Sequence, residues 1–273
     1  MSIEKAAAVI EEAWHILITA GAGMGVDSGL PDFRGNEGFW NAYPPYRDLG
    51  MSFVDMANPE TFHSDPTLAW GFYGHRLEMY RKTAPHDGFE ILRRWAEKKK
   101  SCFVFTSNVD GHFQKAGFHP DLVYEVHGSI HHLQCLRPCS ARVYPADNIE
   151  IVVDPETMRA TGPLPGCPHC GALARPNILM FGDFSYVPTR QSSQAGRYQS
   201  WLRQVGAEPA VVIELGAGVA VPTVRFQGEQ LARARNARLV RINPRDPTVP
   251  PGEIALPMGA LEALRQIDPK VSL

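Results

Sequence analysis

Four of the five cysteines, Cys135, Cys139, Cys167 and Cys170, form two close pairs, while Cys102 stands apart in an apolar run. Three residues separate the first pair, two separate the second, and 27 lie between the pairs. Four thiolates at this spacing can surround Zn²⁺ tetrahedrally, which leaves no position for water and makes the metal structural. His169 is a substitute ligand, and two unrelated thiol pairs or a redox disulfide are the alternatives. The 135–170 stretch is rich in Pro and turn residues, so it would depend on the metal to fold.

Among ten histidines, His127 stands out because it follows the apolar run 122–126 and precedes Gly128-Ser129. A ring at the end of a strand can project into a cleft, and its ordinary pKa near 6.5 suits general-base work. Asn108 and Asp110 end another apolar run, 102–106, and offer a donor and an acceptor for a carboxamide. The same residues could equally form an Asx turn that closes the strand. Gly21-Ala22-Gly23-Met24-Gly25, directly after His15-Ile16-Leu17-Ile18-Thr19, can bring main-chain N–H groups close to a phosphate. Gly216-Ala217-Gly218 after 210–215 is either a tight turn or a second phosphate-facing one, and Asn243 either touches a ribose or caps its strand.

The glycine run does not continue as a dehydrogenase fingerprint would. Pro31 stops any helix within two turns, and Pro31-Asp32-Phe33-Arg34-Gly35 sets an acid, an aromatic ring and a guanidinium on a loop.

The elements needed to hold these residues can be read from periodicity. Helical spacing covers 3–14, 87–99, 187–208, 226–236 and 259–267, and a helix through Trp70 to Tyr80 starts at a Ser64 or Asp65 cap with Pro66 in its first turn. Apolar strands at 15–19, 102–106, 122–126, 210–215 and 238–242 alternate with those helices, and 177–183 also has strand character. This alternation predicts an α/β fold: a Rossmann-like parallel sheet with helices on both faces, plus a small zinc-binding lobe. A single domain over 1–273 is expected, with a large lobe over about 1–38, 84–130 and 176–273. A helical module over about 39–83 and a zinc module over about 131–175 make the small lobe. Ligands of open α/β sheets sit beyond the carboxyl ends of the strands, so Gly21, Asn108, His127, Gly216 and Asn243 should face one cleft.

With 27 Lys and Arg against 29 Asp and Glu, the net charge of −2 gives no footprint for nucleic acid. No apolar run approaches the ~20 residues of a membrane span. The N-terminal residues lack a signal-peptide layout, so a cytoplasmic protein is expected.

Taken in order, these motifs resemble the sirtuin family of NAD-dependent protein deacylases, from Trp14 to about Ile267. Gly21 to Gly23 and Ser28 to Arg34 are similar to its cofactor loop, Asn108-Val109-Asp110-Gly111 to its nicotinamide-recognising motif, and His127-Gly128 to its catalytic histidine. Pro176 to Asp183, containing Met180, Phe181 and Gly182, resembles the strand that pairs with the acylated peptide. Gly216 to Gly218 falls where the family has Gly-Thr-Ser, and Asn243 where it has a ribose-contacting Asn. Tyr73 and Arg76 resemble a Tyr-x-x-Arg pair of members that prefer succinyl-, malonyl- or glutaryl-lysine. Positions 73 and 76 share a helix face, where a phenol and a guanidinium could grip a carboxylate.

The departures are Ser107 for Gln, Gly25 for Ser, Ala217-Gly218 for Thr-Ser, and three residues rather than two inside the first cysteine pair. The resemblance implies NAD consumed as co-substrate, structural zinc, and acylated lysines of proteins as partners, with neither nucleic acid nor membrane involved. It assigns the base to His127 and orientation of the ribose or a water to Asn108. Asp110 would hold the carboxamide. Asp32, Phe33 and Arg34 would lie at the cofactor, Phe33 covering the reactive face and Arg34 near the phosphates. Mono-ADP-ribosyl transfer or NAD hydrolysis in the same cleft is the alternative activity, and a non-catalytic NAD-binding module is the alternative class.

Overall fold

The computed structural model describes residues 2–272 except 33, 34 and 235. Helix α1 (Ser2–Glu12) leads into β1 (His15–Ala20), and two single 3₁₀ turns carry the chain through 22–28. Four short helices follow: α2 (Gly35–Ala42), α3 (Pro44–Asp48), α4 (Phe53–Met56) and α5 (Pro59–Ser64). Next comes α6 (Pro66–Lys82), whose first turn is closed by the Asp65 carboxylate accepting the Leu68 N–H. That settles the choice between Ser64 and Asp65 as its cap.

Helix α7 (Asp87–Glu97), β2 (Ser101–Thr106), α8 (His112–Lys115) and β3 (Val123–Glu125) complete the first half. Strands β4 (Gly128–Cys135), β5 (Tyr144–Pro145), β6 (Val152–Val153), β7 (Ala160–Thr161) and β8 (Ala174–Ile178) come next. The chain ends with α9 (Thr189–Val205), β9 (Ala210–Leu215), α10 (Thr223–Ala234), β10 (Ala237–Ile242), β11 (Ile254–Leu256) and α11 (Ala260–Ile267).

The main sheet has six parallel strands in the order β11-β10-β9-β1-β2-β3. Burial on both faces explains the unbroken apolar runs of its central strands. Ile16, Ile18, Val104, Val211, Ile213 and Val240 pack against α1, α7 and α11 on one face. Leu17, Phe103, Phe105, Val212 and Leu239 pack on the other, beneath Tyr198, Trp201 and Leu231 of α9 and α10. This is the doubly covered α/β sheet that the alternation of elements predicts.

The 177–183 segment behaves differently from its sequence expectation. Only Asn177 and Ile178 are strand; they end β8, which pairs antiparallel with β4 in a separate three-stranded sheet. Residues 179–183 turn instead, with Gly182 at φ +65. That small sheet lies on an aromatic core in which Phe39, Tyr43, Tyr46, Phe62, Trp70, Phe72 and Tyr73 are buried. No helix among the described residues is long and apolar enough to cross a membrane.

Candidate active site and metal centre

Register determines which residues meet. Ala20 is level with Thr106 and Leu215, Thr106 with Glu125, and Leu215 with Ile242. The loops bearing Gly21, Ser107 to Asp110, His127, Gly216 and Asn243 therefore leave one edge of the sheet at one height.

The two glycine turns interlock. Gly23 N–H donates to the Gly216 carbonyl at 3.1 Å and Gly21 N–H to that of Leu215 at 3.0 Å. A Cβ on Gly23 would lie 2.7 Å from the Gly216 Cα, and one on Gly216, at φ +58, 2.3 Å from the Gly23 carbonyl carbon. These two glycines serve the close approach of one loop to the other as well as any ligand. The N–H groups of Ala22, Ala217 and Gly218 donate to no group among the described residues, although Ala217 is buried. A buried main-chain donor calls for an acceptor, so this double turn fits an anionic group such as a diphosphate.

Asn108 donates through Nδ2 to the Gly21 carbonyl at 3.0 Å, and its own N–H donates to Thr106 Oγ1 at 3.0 Å. The end of β2 is thus fastened to the first glycine turn. Asp110 is buried; its Oδ1 accepts the His112 N–H at 2.9 Å, and its carbonyl meets His131 Nε2 at 2.8 Å. Burial pushes its carboxyl up to about 6, helped by Glu125 and opposed by the His112 N–H and Arg76. The structure thus shows the Asx turn considered for this motif.

The His127 ring is half-buried, and burial lowers its pKa against an opposing hydrogen bond with the Ser107 main chain. It is therefore neutral near pH 7, the form a general base needs. The turn carrying it is held from below. Gln191 Nε2 donates to the Val126 carbonyl at 3.0 Å, and buried Glu125 receives Arg190 and Gln194. From the other side the Leu179 N–H donates to the His127 carbonyl at 2.9 Å.

Beyond Leu179, Met180 is buried and Phe181 exposed, and the Phe181 N–H already donates to the Ala57 carbonyl at 2.9 Å. Asp183, the acid of the Phe-Gly-acid sequence, turns inward. Its carboxylate receives Arg175 Nη2 at 2.8 and 2.7 Å, and both side chains are fully buried.

Asn243 is spent on the chain itself. Its Nδ2 donates to the Ala217 carbonyl at 2.8 Å and its Oδ1 accepts the N–H groups of Arg245 and Asp246. Asp32 faces Arg245 at 3.4 Å. Phe33 and Arg34 lie outside the described residues.

Tyr73 and Arg76 are both buried on α6. The Arg76 guanidinium donates to Tyr80 Oη at 3.1 and 2.7 Å and lies among the rings of Phe72, Tyr73 and Tyr80. The Tyr73 hydroxyl is buried and has no hydrogen-bond partner among the described residues.

Cys135, Cys139, Cys167 and Cys170 converge, with all four sulfurs within 4.8 Å of one another. Cys135 to Cys170 and Cys139 to Cys167 are each 3.7 Å. Sulfurs at the corners of a tetrahedron with Zn–S bonds of ~2.3 Å stand about 3.8 Å apart, so the set fits structural zinc and no disulfide joins them. His169 Nδ1 is 3.5 Å from the Cys139 sulfur and lies outside the set of four.

Several supporting residues carry no sequence signal: His86, whose Nε2 meets the Met24 carbonyl at 2.9 Å, Arg175, Arg190, Arg225 and Arg241. They lie in ordinary helices, strands or turns, and only the fold shows what they hold.

An open parallel sheet with two interlocked glycine turns, a neutral histidine at the same edge and a four-cysteine centre defines a nucleotide-binding class of enzyme with a structural metal. The family model described as the Sir2 family matches residues 21–211, and the chain belongs to that family. It is 31% identical over 272 residues to the NAD-dependent protein deacylase of Thermus thermophilus, covering 98% of this chain and 94% of that one. To the NAD-dependent protein deacylase of Aquifex aeolicus it is 30% identical over 240 residues, covering 86% and 85%. A solved Sir2 homolog–NAD complex superimposes with a TM-score of 0.72 at 26% identity, covering 97% of this chain and 92% of that one.

Proposed function

We propose that this protein removes acyl groups from protein lysines with consumption of NAD, releasing nicotinamide and O-acyl-ADP-ribose. The observation that carries this reading is the level edge from which a neutral His127, Asn108, Asp110 and the unpartnered amides of both glycine turns all emerge. NAD supplies the electrophilic ribose carbon that the acyl oxygen attacks as nicotinamide leaves. His127 takes the proton of a ribose hydroxyl, Asn108 orients the ribose or a water, and Asp110 holds the carboxamide. The amides of Ala22, Ala217 and Gly218 receive the diphosphate. The four cysteines hold zinc away from the chemistry, as a fold determinant.

The acyl group we infer is one ending in a carboxylate. Supporting this are the unpartnered, buried Tyr73 hydroxyl and the Arg76 guanidinium carbon 5.8 Å from the same ring. Acetyl-, succinyl- and malonyl-lysine peptides, incubated with labelled NAD and read by mass spectrometry, test both statements. Wild type should give O-acyl-ADP-ribose and His127→Ala none, with zinc content unchanged; wild-type turnover by His127→Ala would sink the assignment. Label retained on protein would point to ADP-ribosyl transfer instead. A preference for acidic acyl chains should vanish in Arg76→Met, and the absence of any preference in wild type discards that part.

A further inference from the structure

Ala217 and Gly218 carry no side-chain donor or acceptor, so nothing on the second glycine turn itself can fix its shape. The fixing groups come from two other segments. The Ala217 carbonyl accepts Asn243 Nδ2 at 2.8 Å and Arg225 Nη1 at 3.3 Å. Arg225, in the first turn of α10 and only 8% exposed, reaches further with the same guanidinium. Its Nη1 donates to the Asp246 carbonyl at 3.0 Å and its Nη2 to the Thr248 carbonyl at 3.1 Å.

One buried cation thus gathers three carbonyls, from the turn after β9 and the loop after β10, and no carboxylate among the described residues pairs with it. Its neighbour Arg241 is the one paired, to Glu214 and Glu229, and it also donates to the Thr248 carbonyl. A buried guanidinium near a second guanidinium is costly, and the three carbonyl contacts offset part of that cost. Burial, followed by Arg241, lowers the Arg225 pKa.

We propose that Arg225 is a positioning residue for NAD. By holding the Ala217 carbonyl it fixes the Ala217–Gly218 peptide plane, so that the Gly218 N–H remains directed to the diphosphate, while the plane carrying the Ala217 N–H is held by the Gly216 carbonyl accepting the Gly23 N–H. Because Gly216 is interlocked with Gly23, the same contact steadies the first glycine turn. Lysine is a poorer substitute for the fork, since one ammonium nitrogen would have to reach the three carbonyls that two guanidinium nitrogens share.

This rests on the proposed deacylase reading, and the test separates the two. Full-length wild type, Arg225→Lys and Arg225→Met are compared for NAD binding by calorimetry without peptide, for KM of NAD and of acyl peptide, and for zinc content. Both variants should bind NAD about tenfold or more weakly, the order expected for losing a charge-assisted contact, with Arg225→Lys less affected. The KM for peptide and the zinc stoichiometry should stay at wild-type values. Unchanged NAD affinity in a folded Arg225→Lys overturns the inference, as does an equal rise in both KM values, which marks general damage. If Arg225→Met does not fold, Arg225→Lys alone decides. Failure of wild type to bind NAD would instead overturn the functional reading.

Discussion

Replacing Asp183 by alanine should destabilise the protein far more than its place on a surface turn suggests. Its carboxylate receives both contacts from Arg175 Nη2 and also the N–H and hydroxyl of Ser185 and the N–H of Met180, at 2.7 to 3.4 Å. Without it the fully buried guanidinium keeps only the Ile178 carbonyl at 3.1 Å and the Ser185 hydroxyl at 3.4 Å, and its Nε has no partner already. An uncompensated buried charge costs about 3–5 kcal/mol. For a chain of this size that is a fall in Tm of about 6–20 °C. Arg175→Met combined with Asp183→Leu removes both charges and should recover most of the loss, because buried pairs often gain little over apolar packing. Thermal unfolding followed by circular dichroism on wild type, Asp183→Ala and the double variant measures the loss and its recovery. A Tm within about 2 °C of wild type for Asp183→Ala would refute the reasoning, since it would mean that water reaches Arg175 freely.

Zinc should be present at one ion per chain, and Cys139→Ser or a strong chelator should lose it and open residues 131–175 to protease; purified protein lacking zinc but resisting protease there would contradict this. Acid should destabilise the fold as pH falls from about 6.5 toward 4. Burial, with neighbouring positive charges (Lys115, His86 and His131; Arg190 and His131), holds His112 and His132 down near 4, so each contributes stability above its unfolded pKa that is lost as protons bind below it. Asp110, raised to about 6, acts in the opposite sense, its contribution being lost as pH rises from its unfolded value through 6, but it is one group against two. A His112→Phe variant should show a flatter dependence of Tm on pH over that window, and an unchanged slope would remove His112 from the account.

Strands buried on both faces announce themselves as apolar runs, which is why β1, β2, β9 and β10 were legible. The zinc cysteines were legible because ligand spacing is local. The sheet of β4 and β8 was not, because its interior is polar: Gln134, Arg175 and Asn177 are buried, Asn177 donating to Gln134, Arg175 pairing with Asp183, and all three donating to nearby carbonyls. Buried Glu214 and Arg241, opposite each other across β9 and β10, interrupt apolar runs without breaking them because each neutralises its neighbour. Within the site, spacing identified the glycines and Asn243 but not their partners. Gly23 and Gly216 meet each other, and Asn243 meets Ala217, contacts between segments almost 200 and 26 positions apart that no local pattern encodes.

The strand order has a consequence for synthesis on the ribosome. β1 is central, with β2 on one side and β9 on the other. When residues 1 to 125 have emerged, β1, β2 and β3 can pair, but the second edge of β1 has no neighbour until residues 210–215 arrive. Through that interval the largely apolar edge of His15 to Ala20 is open to other nascent chains, which makes it a segment in need of a chaperone. A product truncated before Ala210 should therefore aggregate through β1 rather than accumulate as a soluble half.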